Sequence, residues 1–171
     1  AKVMGEACAV HGRLRIPSVS TAVPLDVLQR VANSLTDYPD GFVVHPKLHQ
    51  ILEKRVQTLT DGKGIDWGFA EALAFGSLVL DKRRVRLSGQ DCGRGTFSHR
   101  HLALNNYTAP EIIKPLTRLA VDGGTFEVYN STLSEAAVLG FEFGYASVAK
   151  DALVMWEAQF GDFVNGAQVI I

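Results

Sequence analysis

Residues 126–156 read FEVYNSTLSEAAVLGFEFGYASVAKDALVMW. Phe126-Glu127-Val128-Tyr129 has the alternation of a short strand. Thr132 is a helix-capping residue type, and helical texture runs from it to about Val148. Leu153-Val154-Met155-Trp156 is a short continuous apolar run, the pattern of a buried strand. A strand, a crossover helix and a second strand are the unit of a parallel sheet. Working outward, Val85-Arg86-Leu87-Ser88 supplies another strand. Asp66 is placed to cap a helix reading Trp67, Ala70, Leu73, Ala74, Ser77 and Leu78. Residues 96–124 carry turn chemistry and little periodicity, and a further helix is expected to begin near Asp162. The fold class predicted is α/β, a mostly parallel sheet flanked by helices.

The segment before this has a different texture. Pro24 suits a first helical turn, with Leu25, Leu28, Val31 and Leu35 at helical spacing. Tyr38-Pro39-Asp40-Gly41 is a turn. A second helix is expected from about Pro46 to Leu59, with Leu48, Ile51, Leu52, Val56 and Leu59 along one side, ended by Asp61-Gly62-Lys63-Gly64. The division expected is a helical connector over 1–63 and an α/β domain over 64–171. The apolar ending Val169-Ile170-Ile171 lacks a stop signal, and the expectation is a piece of a longer polypeptide.

Composition narrows the function classes. The chain has 171 residues, 47% of them hydrophobic, with a formal net charge of −1. That balance leaves no electrostatic footprint for nucleic acid or an anionic membrane. No apolar run approaches the roughly 20 residues needed to span a bilayer. Cys8 and Cys92 are isolated and read as reduced thiols of a cytosolic or organelle-matrix protein.

Three stretches carry possible chemistry. In the first, Thr132-Leu133-Ser134-Glu135 has the form of a capping box, Glu135 reaching back to the Thr132 amide. The functional alternative aims Glu135 into a crevice at the carboxyl edge of the sheet, where open α/β folds bind ligands. Ala136, Gly140 and Gly144 form a small-residue stripe suited to close approach by another helix, in the core or across a subunit interface. The second stretch, Gly89-Gln90-Asp91-Cys92-Gly93-Arg94-Gly95-Thr96-Phe97-Ser98-His99-Arg100-His101, delivers a Gly-rich basic loop to the same edge. Arg94, Arg100, His99 and His101 suit a carboxylate or phosphate, the alternative being a solvated or interface loop. His-x-His has no third ligand at a recognisable spacing, so no metal site is assigned. His45 and His49 are placed on the surface. The third stretch, Trp156 to Gln168, holds Phe160 and Phe163, either core aromatics or a stacking platform for a heteroaromatic ring.

Together these stretches resemble the first, decarboxylating component of 2-oxoglutarate dehydrogenase. The resemblance rests on Arg86-Leu87-Ser88-Gly89-Gln90-Asp91, on Arg94 through His101, on Leu133-Ser134-Glu135 with Val138 through Tyr145, and on Trp156 through Gln168. It implies a thiamine-diphosphate-binding fold of the pyrimidine type. It also implies oxidative decarboxylation of 2-oxoglutarate in the tricarboxylic acid cycle, with succinyl transfer to a lipoyl group. Glu135 matches the glutamate that polarises a pyrimidine nitrogen of the cofactor. Leu133 matches a residue near the cofactor's amino group, and Phe163, with Phe160 as second candidate, the stacking aromatic. Gln90, Asp91, His99 and His101 fall in a loop on the substrate side. Gly-Asp-Gly, which holds Mg²⁺ and the diphosphate in the family, does not occur here, so that half of the site is assigned to a domain absent from this chain. The implied partners are a second copy, in a homodimer, and the lipoyl-bearing succinyltransferase, in the bacterial cytoplasm or the mitochondrial matrix. The chain alone is expected to be inactive. A 2-oxoadipate-preferring relative and a non-catalytic dimerisation or assembly module are the alternatives.

Overall fold

The computed structural model describes the backbone of Ala9–Val10 and Arg13–Leu14 and all of residues 18–171. Cys8 lies outside the described residues. The two short segments, β1 (Ala9–Val10) and β2 (Arg13–Leu14), pair antiparallel.

Helix α1 spans Leu25–Ser34, with Pro24 at the N-cap position, one residue earlier than a first-turn proline. Helix α2 spans Pro46–Asp61 and stops where the spacing predicts: Gly62 takes the left-handed conformation (φ 69°) that lets the amides of Gly62 and Lys63 cap the last turn. Helix α3 spans Trp67–Leu80, and the Asp66 carboxylate accepts the Phe69 amide at 2.7 Å, the expected cap.

Strands β3 (Arg84–Gly89), β6 (Thr125–Asn130) and β7 (Ala152–Glu157) form the sheet, in the order β6-β3-β7 and parallel throughout. Between them lie β4 (Leu104–Asn105), β5 (Ile112–Ile113), a 3-10 turn over Pro115–Leu119 and helix α4 (Glu135–Val148). The parallel α/β reading therefore holds. Its details need three corrections. β4 and β5 pair antiparallel where no strand is expected, because two-residue strands are too short to display alternation. β7 is an edge strand of this sheet and only partly covered, with Leu153 39% exposed, not a buried one. At Asp162 the chain makes a 3-10 turn over Asp162–Val164 and continues in turns; no α-helix forms there. The glycines at 161 and 166 work against one.

The two faces of the sheet differ chemically. Val85, Leu87, Phe126 and Val128 are buried against α3 and the 3-10 turn, in one core that also takes Val31, Ala32 and Leu35 of α1 and its C-cap and Leu59 of α2. The opposite face presents Arg86 and Glu127. There Arg86 grips Glu142 of α4 through Nε and Nη2, at 2.8 and 2.9 Å, and Glu127 through Nη1 at 2.8 Å. The rings of Tyr129, Phe141 and Tyr145 surround its guanidinium at 4.7–5.3 Å. Glu142 is the one buried residue of α4, so this helix docks through a charged pair where α3 docks through apolar packing.

Candidate functional site

Gly89, Asn130 and Glu157 stand side by side at the carboxyl ends of the three strands, the edge where open parallel sheets collect ligands. The loop from Gln90 leaves this edge and returns to β4. Its turns are tight: Asp91 (φ 55°), Gly95 (φ 84°), Ser98 (φ 52°) and His101 (φ 59°) are all left-handed. Residues with a Cβ adopt that region only when the surroundings hold them there, and such positions cluster at functional sites. Here Asn130 accepts the Gly93 amide at 2.9 Å, and the Arg94 carbonyl accepts two amides, from Arg100 and His101.

Arg100 is 4% exposed and meets Glu71 of α3 at 3.0 Å, the Cys92 carbonyl at 2.8 Å and Glu157 of β7. Burial works against its charge, and hydrogen bonds to Glu157 and Glu71 overcome this and raise its pKa. The expectation that Arg100 meets a ligand anion is therefore corrected: its donors are committed to protein carboxylates and a carbonyl. Arg94 is half-exposed and pairs with Asp91.

Two clefts flank the loop. One, of about 270 Å³, is lined by Thr96, Phe97, His99, Glu157, Phe160 and Phe163, among others. Phe97 and Phe160 meet edge to face at 6.1 Å. His99 and Glu157 each hold one buried polar atom without a hydrogen-bond partner, Nδ1 and Oε1, both sealed from the cleft surface, with His99 Nδ1 against Gly95. The cleft wall is chiefly aromatic, the kind of surface on which a flat ring packs. Gln159 ties the cleft walls together, donating to the Gln90 carbonyl at 3.1 Å and to Thr96 Oγ1 at 2.8 Å. The other cleft, about 410 Å³, is more polar and is lined by His45, Asp91, Arg94, His101, Asn105 and Tyr107 among others. His101 Nε2 lies 2.8 Å from the Ser98 carbonyl oxygen, and burial lowers the pKa of the ring. That contact is a donation when the proton sits on Nε2, since a carbonyl accepts.

Glu135 opens α4. The reciprocal capping box is not formed: Ser134 takes the N-cap position, without a side-chain cap, so the helix begins later than Thr132 would start it. The Glu135 side chain is half-buried and lies against Gly166, where a Cβ would come within 2.5 Å of its carboxylate. A side chain at 166 would push the flexible Glu135 carboxylate aside. The structure groups His99, Phe160 and Phe163 in one cleft and Asp91 and His101 in the other. Glu135 faces the turn segment carrying Phe163 without lining either cleft, and Gln90 contributes its carbonyl. Leu133 is 78% exposed, Phe160 87% and Phe163 55%. Glu157 is not among the residues singled out from the sequence; His45 is exposed, as expected, and packs edge to face on Tyr107 at the rim of the polar cleft. The signal for Glu157 was available, since it ends a predicted strand at the ligand-binding edge.

Residues 63–171 match the family model described as "Transketolase, pyrimidine binding domain". The chain belongs to this family. Among curated proteins, this pyrimidine-binding chain is 49% identical over 156 residues to the mitochondrial 2-oxoglutarate dehydrogenase of Saccharomyces cerevisiae, covering 91% of the chain and 15% of the yeast protein. It is 51% identical to the Dictyostelium discoideum protein of the same name, over 88% of the chain and 15% of that protein. Against a Bacillus cereus protein named 2-oxoglutarate dehydrogenase E1 component, it is 47% identical over 91% of the chain and 16% of the relative. The pyrimidine-binding chain thus spans about 15% of the length of the curated relatives it matches. No helix among the described residues is long and apolar enough to cross a membrane. Among those residues no three His, Cys, Asp or Glu side chains group as a metal site.

Proposed function

We propose that this chain supplies the pyrimidine half of a thiamine diphosphate site in the decarboxylating subunit of a 2-oxoglutarate dehydrogenase complex. The observation that carries the reading is the aromatic cleft of Phe97, Phe160 and Phe163 at the strand ends of a chain about half identical to proteins of that name. An apolar slot with a few polar atoms fits a heteroaromatic ring. Among the described residues no three His, Cys, Asp or Glu side chains group as a metal site, and the holding of the diphosphate and Mg²⁺ is assigned to a separate domain.

When bound, thiamine diphosphate supplies the carbanion sink on which a 2-oxo acid loses carbon dioxide. Glu135 holds a proton at the pyrimidine ring nitrogen and so favours the tautomer that activates the cofactor. Its position at the head of α4, beside Gly166 in the turn segment that carries Phe163, supports that task. Phe163 and Phe160 stack on the ring, and Leu133 covers it near the amino group. Gln90, Asp91, His99 and His101 line the substrate side, with Arg94 and His101 facing the carboxylates of the oxo acid. The subunit works as a homodimer, and the succinyl group passes to the lipoyl arm of a succinyltransferase. The compartment is the mitochondrial matrix or the bacterial cytoplasm.

The test is Glu135→Gln in the full-length subunit. Decarboxylation is expected to fall by about 10²-fold or more with cofactor affinity largely kept, the usual scale for losing an acid–base group. A variant decarboxylating at the normal rate would remove Glu135 from the mechanism. Comparing rates with 2-oxoglutarate and 2-oxoadipate fixes the substrate.

A further inference from the structure

The loop carrying His99 and His101 is gripped by a residue that the family match does not reach. Arg55 lies on α2, ahead of residues 63–171, and its side chain is 6% exposed. Nε donates to the Asp66 carboxylate at 3.0 Å and Nη1 to the Arg100 carbonyl at 3.1 Å, while Nη2 donates to the His99 carbonyl. Successive carbonyls of an extended chain point in opposite directions. One guanidinium can collect two in a row only where the backbone is folded back, and here left-handed Ser98 and His101 bracket the pair.

The opposite side of the grip is equally close. A Cβ on Gly68, in the first turn of α3, would stand 1.9 Å from the His99 carbonyl oxygen and 2.8 Å from Arg55 Nη2. Asp66, which pairs with Arg55, also caps α3 through Phe69. Helix start, arginine and loop are thus one assembly. Its product is a division of labour between two residues: His99 lines the aromatic cleft and His101 lines the polar one.

We propose that Arg55 is a positioning residue for the histidine loop, its planar fork fixing the twist that sends His99 and His101 into separate clefts. The helical lead-in thereby belongs to the scaffold of the site. The catalytic consequence rests on the thiamine reading above; the grip itself does not. A lysine retains the charge and the ion pair with Asp66, but its single ammonium lacks the planar fork that matches two carbonyls. A role in stability alone would let Lys substitute, or would loosen the whole chain evenly.

The test uses Arg55→Lys in the full-length protein, with histidine footprinting by diethyl pyrocarbonate read by peptide mass spectrometry. His49, which packs on Tyr38, pairs with Glu53 and lines neither cleft, is the internal reference. The expected result is labelling of His99 and His101 faster by about fivefold to tenfold, the scale of losing a hydrogen bond or two, with His49 unchanged. KM for the oxo acid is expected to rise more than kcat falls. Equal labelling in variant and parent, or a parallel rise at His49, overturns the proposal. Should Arg55→Lys fail to fold, Gly68→Ala displaces the same carbonyl without touching charge and is read by the same two outcomes. If the parent protein fails to turn over the oxo acid, the thiamine reading falls, and the footprint still decides for or against the grip.

Discussion

Cys92 and His101 lie in the same loop and respond to pH in opposite senses. The Cys92 thiol donates to the Tyr129 carbonyl at 3.1 Å, and burial, helped by the charge of Glu157, pushes its pKa up to about 11. It is expected to resist iodoacetamide at pH 8 in the native protein and react once unfolded, because the thiolate is the nucleophile; fast alkylation of the folded chain would contradict this. The native state also keeps that proton after the unfolded chain has lost it. Stability from this group is therefore full below its ordinary value of 9.0 and declines as pH rises toward 11. His101 behaves conversely. Burial, against the pull of the Ser98 carbonyl, lowers its pKa below 6.5. As pH falls through 6.5 the unfolded chain takes up the proton first, so stability drops on acidification. Urea titrations between about pH 5 and 8 should show a shallower acid limb for His101→Gln than for the parent. Identical limbs would mean that His101 is not masked from protons.

Two helix contacts set the geometry at the next scale. Where α1 crosses α3, a Cβ on Gly76 would stand 2.4 Å from a Val31 methyl carbon. Gly76→Ala should cost about 1–3 kcal/mol by overpacking, and Val31→Ala in the same chain should recover part of it; additive losses would place the clash elsewhere. On the other face, Arg86→Met strands the buried Glu142 carboxylate. The expected loss is about 3–5 kcal/mol, against a smaller loss for the double variant Arg86→Met with Glu142→Met, where no buried charge is left alone. Equal losses in single and double variants would show that α4 is held by something other than this pair. These elements were unevenly legible. Asp66, Gly62 and the spacing of α1 marked helix ends because capping is local chemistry. The start of α4 was misplaced, since Thr132 and Ser134 are both good caps and local pattern does not choose between them. The β4–β5 pairing was invisible, because it depends on Leu104 meeting Ile113 across the loop.

Over the whole molecule, many large apolar side chains also lie outside the core. Phe143 is 71% exposed and Val148 85%, while Gly140 and Gly144 have nothing within 4 Å of a built Cβ. Leu133 and Phe160 are as open, at 78% and 87%. The 171-residue chain alone is expected to bind the dye ANS and to sediment above its monomer mass of 18.6 kDa. A dye-silent monomer would show the surface to be tolerated in water.

What sequence determined is whatever rests on neighbours along the chain: strand and helix alternation, most caps, and motifs that point to the family. It picked out the loop holding His99 and His101 and the acid at the head of α4. It did not disclose that Arg100 is spent on Glu71 and Glu157, that Arg86 anchors α4, or that Arg55 reaches a loop 44 residues away. Those contacts join residues from different elements, and their existence depends on how the elements pack. A guanidinium looks the same in sequence whether it ends in water, on a ligand or on a carbonyl, and only the folded chain's exclusion of water decides among them.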